Sequence, residues 1–280
     1  MYTLKKGNII IEICENPLEI RSLKFKGKEL CYQQDGAWGK NWPFLFPIVG
    51  LLKDNKYTYE NKEYEMKRHG FFRDITDFAV EDESEGLVTF SAKSNGKFQA
   101  IYPFEFEIKN QIEIINDEVV VSYEVTNLDT KQMIFTMGHH PAFLSKKDGV
   151  LTFDKTEHFT KDVNDQGLVA EKPDYKFEIQ ETKIADLSFA NSAFYFTQDL
   201  KSSWVRYEDS EIGYEISLDD YNTFLLWSAS DEENFICIEP WLGIPDPAER
   251  ENNDLHAKPR MLNIKPEESF TCELKIKFIK

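Results

Sequence analysis

The sequence predicts an all-β chain built of large antiparallel sheets. Three observations carry that expectation. Apolar residues recur at period two in segment after segment, helical periodicity is nearly absent, and Gly and Pro punctuate turns without gathering into a linker. With 280 residues and neither a strict repeat nor a low-complexity tract, the expectation is a single domain, residues 1–280, folded as a large β-sandwich or barrel.

The elements follow in order. The N-terminal MYTLKKGNIIIEICENP holds a short apolar run that Glu12 and Glu15 interrupt, with no leader-cleavage pattern after it. Pro43 to Leu52, PFLFPIVGLL, is the most apolar segment elsewhere. It is too short to cross a bilayer and is broken by Pro47 and Gly50. In KYTYENKEYEM, Tyr57 and Tyr59 alternate with polar residues, as do Tyr64 and Met66, and the polar ENK between them reads as a hairpin turn. A longer hairpin follows. Phe104, Phe106, Ile108, Ile112 and Ile114 lead to a turn at Asn116-Asp117, and Val119, Val121, Tyr123 and Val125 return on one face. DFAVEDESEGLVTFSAKS, MIFTMG, AFYFTQ, GYEISL, NTFLLWSAS, FICIEP and FTCELKIKF carry the same signature.

Composition narrows the function classes. Hydrophobic residues make up 41% and aromatics 14%, enough for a substantial core. A net charge of −17 repels phosphate backbones and anionic headgroups. No nucleic-acid and no membrane role is therefore expected, and a neutral or cationic small molecule is the easier partner. The four cysteines are scattered and none forms a CxxC pair, which suits reduced thiols in a soluble, cytoplasmic protein.

Three short stretches hold the chemistry. TMGHHPAF, Thr136 to Phe143, carries adjacent histidines at a strand end. Successive strand residues face opposite sides, so His139 and His140 cannot both enter one site without a bulge. Pro141 holds His140 extended and should end strand pairing about there. A histidine so placed suits a surface or hydrogen-bonded role as well as a catalytic one. Adjacent histidines lack the H-x-H spacing of a metal pair, and no neighbouring acid completes a set, so no metal is expected. NFICIEPWLG places Glu239 in an apolar strand, on one face with Phe235 and Cys237. A buried carboxyl is costly unless it is paired or used. It is either salt-bridged or a positioned base, with Trp241 as a platform for the apolar face of a pyranose. KRHGFFRD offers Arg68, His69 and Arg73 as donors, or is an ordinary basic loop.

The ordered set WPFLFPIVGLLKDNKYTYENKEYEMKRHGFFRD, YPFEFE, MGHHPAF and NFICIEPWLGIPD resembles the aldose 1-epimerase (galactose mutarotase) family, and looks most like its LacX-type branch. The resemblance runs from about Trp42 to the C-terminal strand. It implies a galactose mutarotase-like supersandwich, no cofactor, a monosaccharide partner, and interconversion of the anomers of a free aldose. The family's G-x-H-P motif puts its catalytic histidine on His140. Its E-P-W glutamate falls on Glu239, and its sugar-binding H-G histidine on His69. Glu239 is then the base at the anomeric hydroxyl and His140 the acid at the ring oxygen. A nearby glutamate and an acidic protein are expected to raise the His140 pKa.

Two departures from the family pattern stand out. Leu51 replaces an arginine common after the glycine of FPIVG, with Lys53 or Arg73 as substitutes for it, and Ser192 replaces a common aspartate. A non-catalytic sugar-binding or sensor protein on the same fold is the rival reading. A glycoside hydrolase lacks its second carboxyl group. A phosphorylated hexose is disfavoured by the overall charge. The sequence leaves the preferred aldose and the oligomeric state, monomer or homodimer, open.

Overall fold

The computed structural model describes residues 1–161, 167–190 and 194–280. Strands dominate, and no α-helix occurs among the described residues. They form a nine-stranded antiparallel sheet, a six-stranded sheet, an N-terminal four-stranded sheet and two short ribbons. No helix among the described residues is long and apolar enough to cross a membrane.

Local chemistry sets the hairpins. Lys56–Tyr59 pairs with Lys62–Glu65, Tyr57 opposite Tyr64, and their rings stack at 5.2 Å. The turn residues Glu60 and Asn61 both have positive φ, 50° and 63°, matching the strand twist as a two-residue turn must. Phe106–Ile115 pairs with Glu118–Asn127 through Asn116 and Asp117, at φ 51° and 60°. In the returning strand Val119, Val121, Tyr123 and Val125 are buried and alternate with half-exposed residues. Ala79–Ser84 is exposed on both faces, as fits the edge strand of the nine-stranded sheet. His158 lies in the strand Val150–Phe159.

The two large sheets pack face to face. Phe44 of the six-stranded sheet stacks on Tyr123 of the nine-stranded one, with centroids 3.4 Å apart, and Phe153 meets Phe224 edge-on. The four-stranded sheet packs on the nine-stranded one through Phe25 on Phe278 and Tyr2 on Phe90. All four cysteines are free thiols.

The site grows from the six-stranded sheet. Its central strand, Phe235–Leu242, is buried throughout. Alternation sends Ile236 and Ile238 into the main core and Phe235, Cys237, Glu239 and Trp241 to the other face.

Candidate active site

Strand register creates the central pair. Met137–His139 pairs with the far end of the central strand, Gly138 opposite Trp241, while Ala142–Leu144 pairs with its near end, Ala142 opposite Cys237. Pro141 and Pro240 interrupt the ladder between them, as residues without an N–H must. The register is unchanged across the break, which sets His140 directly opposite Glu239. Opposed side chains on one face of an antiparallel pair are close neighbours. His140 Nε2 lies 3.3 Å from Glu239 Oε2.

His139 takes the other face. Its ring is fully buried against Phe44, Tyr123 and Tyr221, and its Nδ1 accepts from Trp42 Nε1 at 3.3 Å. Its carbonyl accepts from Trp241 Nε1 at 3.2 Å, which fixes the indole. Gly138 makes room for that indole, since a Cβ there would lie 2.5 Å from Trp241 Cδ1.

A cavity of about 350 Å³ opens above the pair, a size within the range of small-molecule sites. Trp38, Trp227, Trp241, Leu225 and Phe194 give it aromatic and apolar walls, and Lys40, Arg68, His69, His140 and Glu239 its polar groups. Trp38 stacks on His140 with centroids 5.0 Å apart and meets Trp227 edge-on. Pro245 closes one side. Its segment is anchored by the fully buried Asp246, which accepts from Arg250 and the Lys53 backbone N–H and ion-pairs with Lys258 at 3.0 Å.

His69 enters on a strained turn. His69 and Gly70 both have left-handed backbones, φ 66° and 70°. Gly70 must be glycine, because a Cβ would sit 2.1 Å from the Phe46 carbonyl oxygen. His69 Nδ1 accepts from the Gly50 N–H at 3.1 Å, so the neutral ring carries its proton on Nε2. Its centroid is 5.6 Å from His140 and 5.8 Å from Trp241.

Electrostatics differ from the sequence expectation at one point. Burial, helped by the Lys40 and Arg68 charges, lowers the His140 pKa to about 3, where an increase was expected. Net charge resides on a hydrated, screened surface, whereas desolvation and two local cations act directly on the ring. Burial raises Glu239 well above the carboxylate range, against the pull of Lys40. Apart from the 3.3 Å approach of the two side chains, the Glu239 oxygens and His140 Nδ1 are buried with no hydrogen-bond partner among the described residues. Burial therefore pushes both members of the pair toward their neutral forms. His69 is also held neutral, by burial first and then by His140, Arg68 and Lys40.

The structure brings His140, Glu239, His69 and Trp241 together around one cavity. Arg73 lies in the adjoining cavity, ion-paired to the buried Glu19. Lys53 donates to the carbonyls of Ala248 and Arg250, and Leu51 lines separate cavities. Ser192 lies outside the described residues. Trp38, Lys40 and Trp227 escaped the sequence reading. The one signal for the first two was a tryptophan and a lysine in the Gly-rich loop DGAWGK. The sequence reading also found no acid to join the histidines as ligands, yet His140, Cys237 and Glu239 present donor atoms within 4.8 Å of one another. Burial favours the protonated carboxyl and thiol there, and the Lys40 charge acts on both, which opposes a dication.

The family model described as Aldose 1-epimerase matches residues 2–276. Protein LacX of Lactococcus lactis subsp. lactis, in plasmid and chromosomal forms, is 31% identical over 89% of each chain. A galactose mutarotase related enzyme from Lactobacillus acidophilus superposes with a TM-score of 0.87 at 27% identity, over 100% of this chain and 97% of that one. A galactose mutarotase-like protein from Lactobacillus casei gives a TM-score of 0.87 at 23% identity, over 100% of both chains.

Proposed function

Because the chain belongs to the aldose 1-epimerase family, we propose that it interconverts the α and β anomers of a hexose by acid–base ring opening, without a cofactor. The observation that carries this is the His140–Glu239 pair, 3.3 Å apart against the cavity, with no further hydrogen-bond donor on the carboxyl oxygens among the described residues. A purely structural carboxyl would have found a donor.

Ring opening removes a proton from the anomeric hydroxyl and delivers one to the ring oxygen. The pair's proton count is unchanged, and only the carrier changes. The neutral forms that burial favours put that proton on Glu239. Sugar hydroxyls donating to the orphaned carboxyl oxygens favour the carboxylate, so the proton passes to His140. Glu239 then takes the hydroxyl proton and His140 protonates the ring oxygen as the C1–O5 bond breaks. Rotation about C1–C2 and closure on the opposite face reverse both transfers. Each group contributes about 10²–10⁴-fold. Trp241 and Trp38 offer ring faces to the pyranose, and His69 offers an Nε2–H donor.

Polarimetry of freshly dissolved α-D-glucose and α-D-galactose tests this. Wild type should hasten equilibration, and Glu239→Gln and His140→Asn should not. The neutral resting state of the pair favours a second reading, a sugar-binding protein without turnover. Binding of these sugars with no acceleration would establish that reading instead.

A further inference from the structure

His140 must carry a proton to serve as the acid, and most of its surroundings oppose that. Burial acts first, then the Lys40 and Arg68 charges. His69, with its ring centroid 5.6 Å away, is itself held neutral by burial, as is the Cys237 thiol on the neighbouring strand. Glu239 answers a charge on the ring only while it is ionised, and burial favours its neutral form. One neighbour is different. The Trp38 indole lies within 22° of parallel to the imidazole, centroids 5.0 Å apart, an offset stack, while Trp227 meets the same ring edge-on at 5.9 Å. The face of an aromatic ring is negative and attracts a cation within about 6 Å of its centroid, tryptophan most strongly and more so when the cation is desolvated.

The loop before Trp38 is tethered so as to hold the indole there. The Gly36 N–H donates to the hydroxyl of the fully buried Tyr32 at 2.6 Å, and the Ala37 N–H donates to Glu233 Oε1 at 3.1 Å. Phe235 and Tyr32 lie within 20° and 29° of parallel to the indole, at 5.8 and 6.5 Å, and pack it further. We propose that Trp38 is a positioning residue for the reaction, fixing the His140 ring against Glu239 and stabilising its imidazolium form until the proton passes to the ring oxygen. This role rests on the assignment of His140 as the acid, and it goes beyond the ring face that Trp38 offers to the sugar.

The test compares kcat, KM and their pH dependence for anomer exchange by NMR in four proteins, each checked by thermal melting. They are wild type, Trp38→Phe, Trp38→Leu, and a protein carrying tetrafluorotryptophan at position 38 alone. The fluorinated ring keeps the shape of the indole and drains electron density from its face. Trp38→Leu should lower kcat by roughly three- to tenfold, because fewer molecules hold the proton on His140 and a more acidic imidazolium offsets only part of that loss. Its kcat profile should move to lower pH by about one unit. The fluorinated protein should move the same way, and Trp38→Phe less than Trp38→Leu. Glu239, Cys237, His69, Lys40 and Arg68, the titratable groups around the ring, are the same in all four proteins, so the shift reports the indole. A change confined to KM would leave Trp38 as a sugar platform and overturn the role. A slower rate with no shift in the profile, or a fluorinated ring that behaves like the native one, would overturn it too. If wild type turns over no sugar, NMR titration of the His140 ring in wild type and Trp38→Leu decides separately. A higher pKa in wild type keeps the stabilising contact while removing the epimerase reading. Equal values, or a ring neutral in both down to acid unfolding, overturn the contact as well.

Discussion

Replacing Glu239 separates its two effects, on stability and on reaction. The carboxyl is 1% exposed, and beyond the 3.3 Å approach of His140 Nε2 its oxygens have no hydrogen-bond partner among the described residues. An unsatisfied buried polar group costs about 1–3 kcal/mol. Its folded pKa lies well above the usual carboxylate value. The folded protein thus keeps a proton that the unfolded chain releases, and stability falls as pH rises above about 4.5 until the folded pKa is passed. Within that window the loss is about 1.4 kcal/mol per pH unit. Glu239→Gln cannot ionise and escapes the slope. Glu239→Leu also removes the orphaned oxygens, and at pH 8 it should be more stable than wild type by about 1–3 kcal/mol. In a chain of this size that is a rise of roughly 2–10 °C in Tm. Both variants should slow anomer exchange by about 10²–10⁴-fold. Thermal melts at pH 5 and pH 8, with exchange rates by NMR, provide the readout. A Glu239→Leu protein that melts below wild type at pH 8 would refute the reasoning, because the carboxyl would then be supporting the fold.

Other consequences follow from the same geometry. Gly138→Ala pushes a methyl group to within 2.5 Å of Trp241 Cδ1. It should cost about 1–3 kcal/mol and weaken sugar binding as the indole shifts, both visible in melts and KM. His139 has its pKa lowered to about 3 by burial. Below pH 6.5 the unfolded chain takes up a proton that the folded one refuses, so stability drops with pH down to about 3, by about 2 kcal/mol at pH 5 from this residue. His139→Gln should flatten that acid loss in pH-dependent melts and leave anomer exchange in place. The rate profile should be bell-shaped, falling at low pH where the His140–Glu239 pair takes a second proton and at high pH where it loses its only one. A rate that is flat from pH 4 to pH 10 would contradict that.

Period-two patterning made much of the fold legible. The face shared by Phe235, Cys237 and Glu239 could be read directly, and Pro141 marked the break in the ladder. The opposition of His140 and Glu239 could not, because it depends on register between strands about a hundred residues apart, which no local pattern encodes. Leu18–Phe25 escaped because it is buried on both faces at its start and shows no clean alternation. Trp38 and Lys40 sit in a loop whose path is set by packing, so sequence pattern gave them no place. The direction of the His140 shift was misjudged for a related reason. Total charge is countable from sequence, but the cations that face one ring are not.

The most direct measurement is a double-mutant comparison of anomer exchange by NMR, using wild type, Glu239→Gln, His140→Asn and the double variant. If the two groups share one proton and act as a unit, each single variant loses most of the catalysed rate and the double variant is no slower than the worse single one. If the losses multiply, or if either single variant keeps the wild-type rate, the two residues do not act as one acid–base pair.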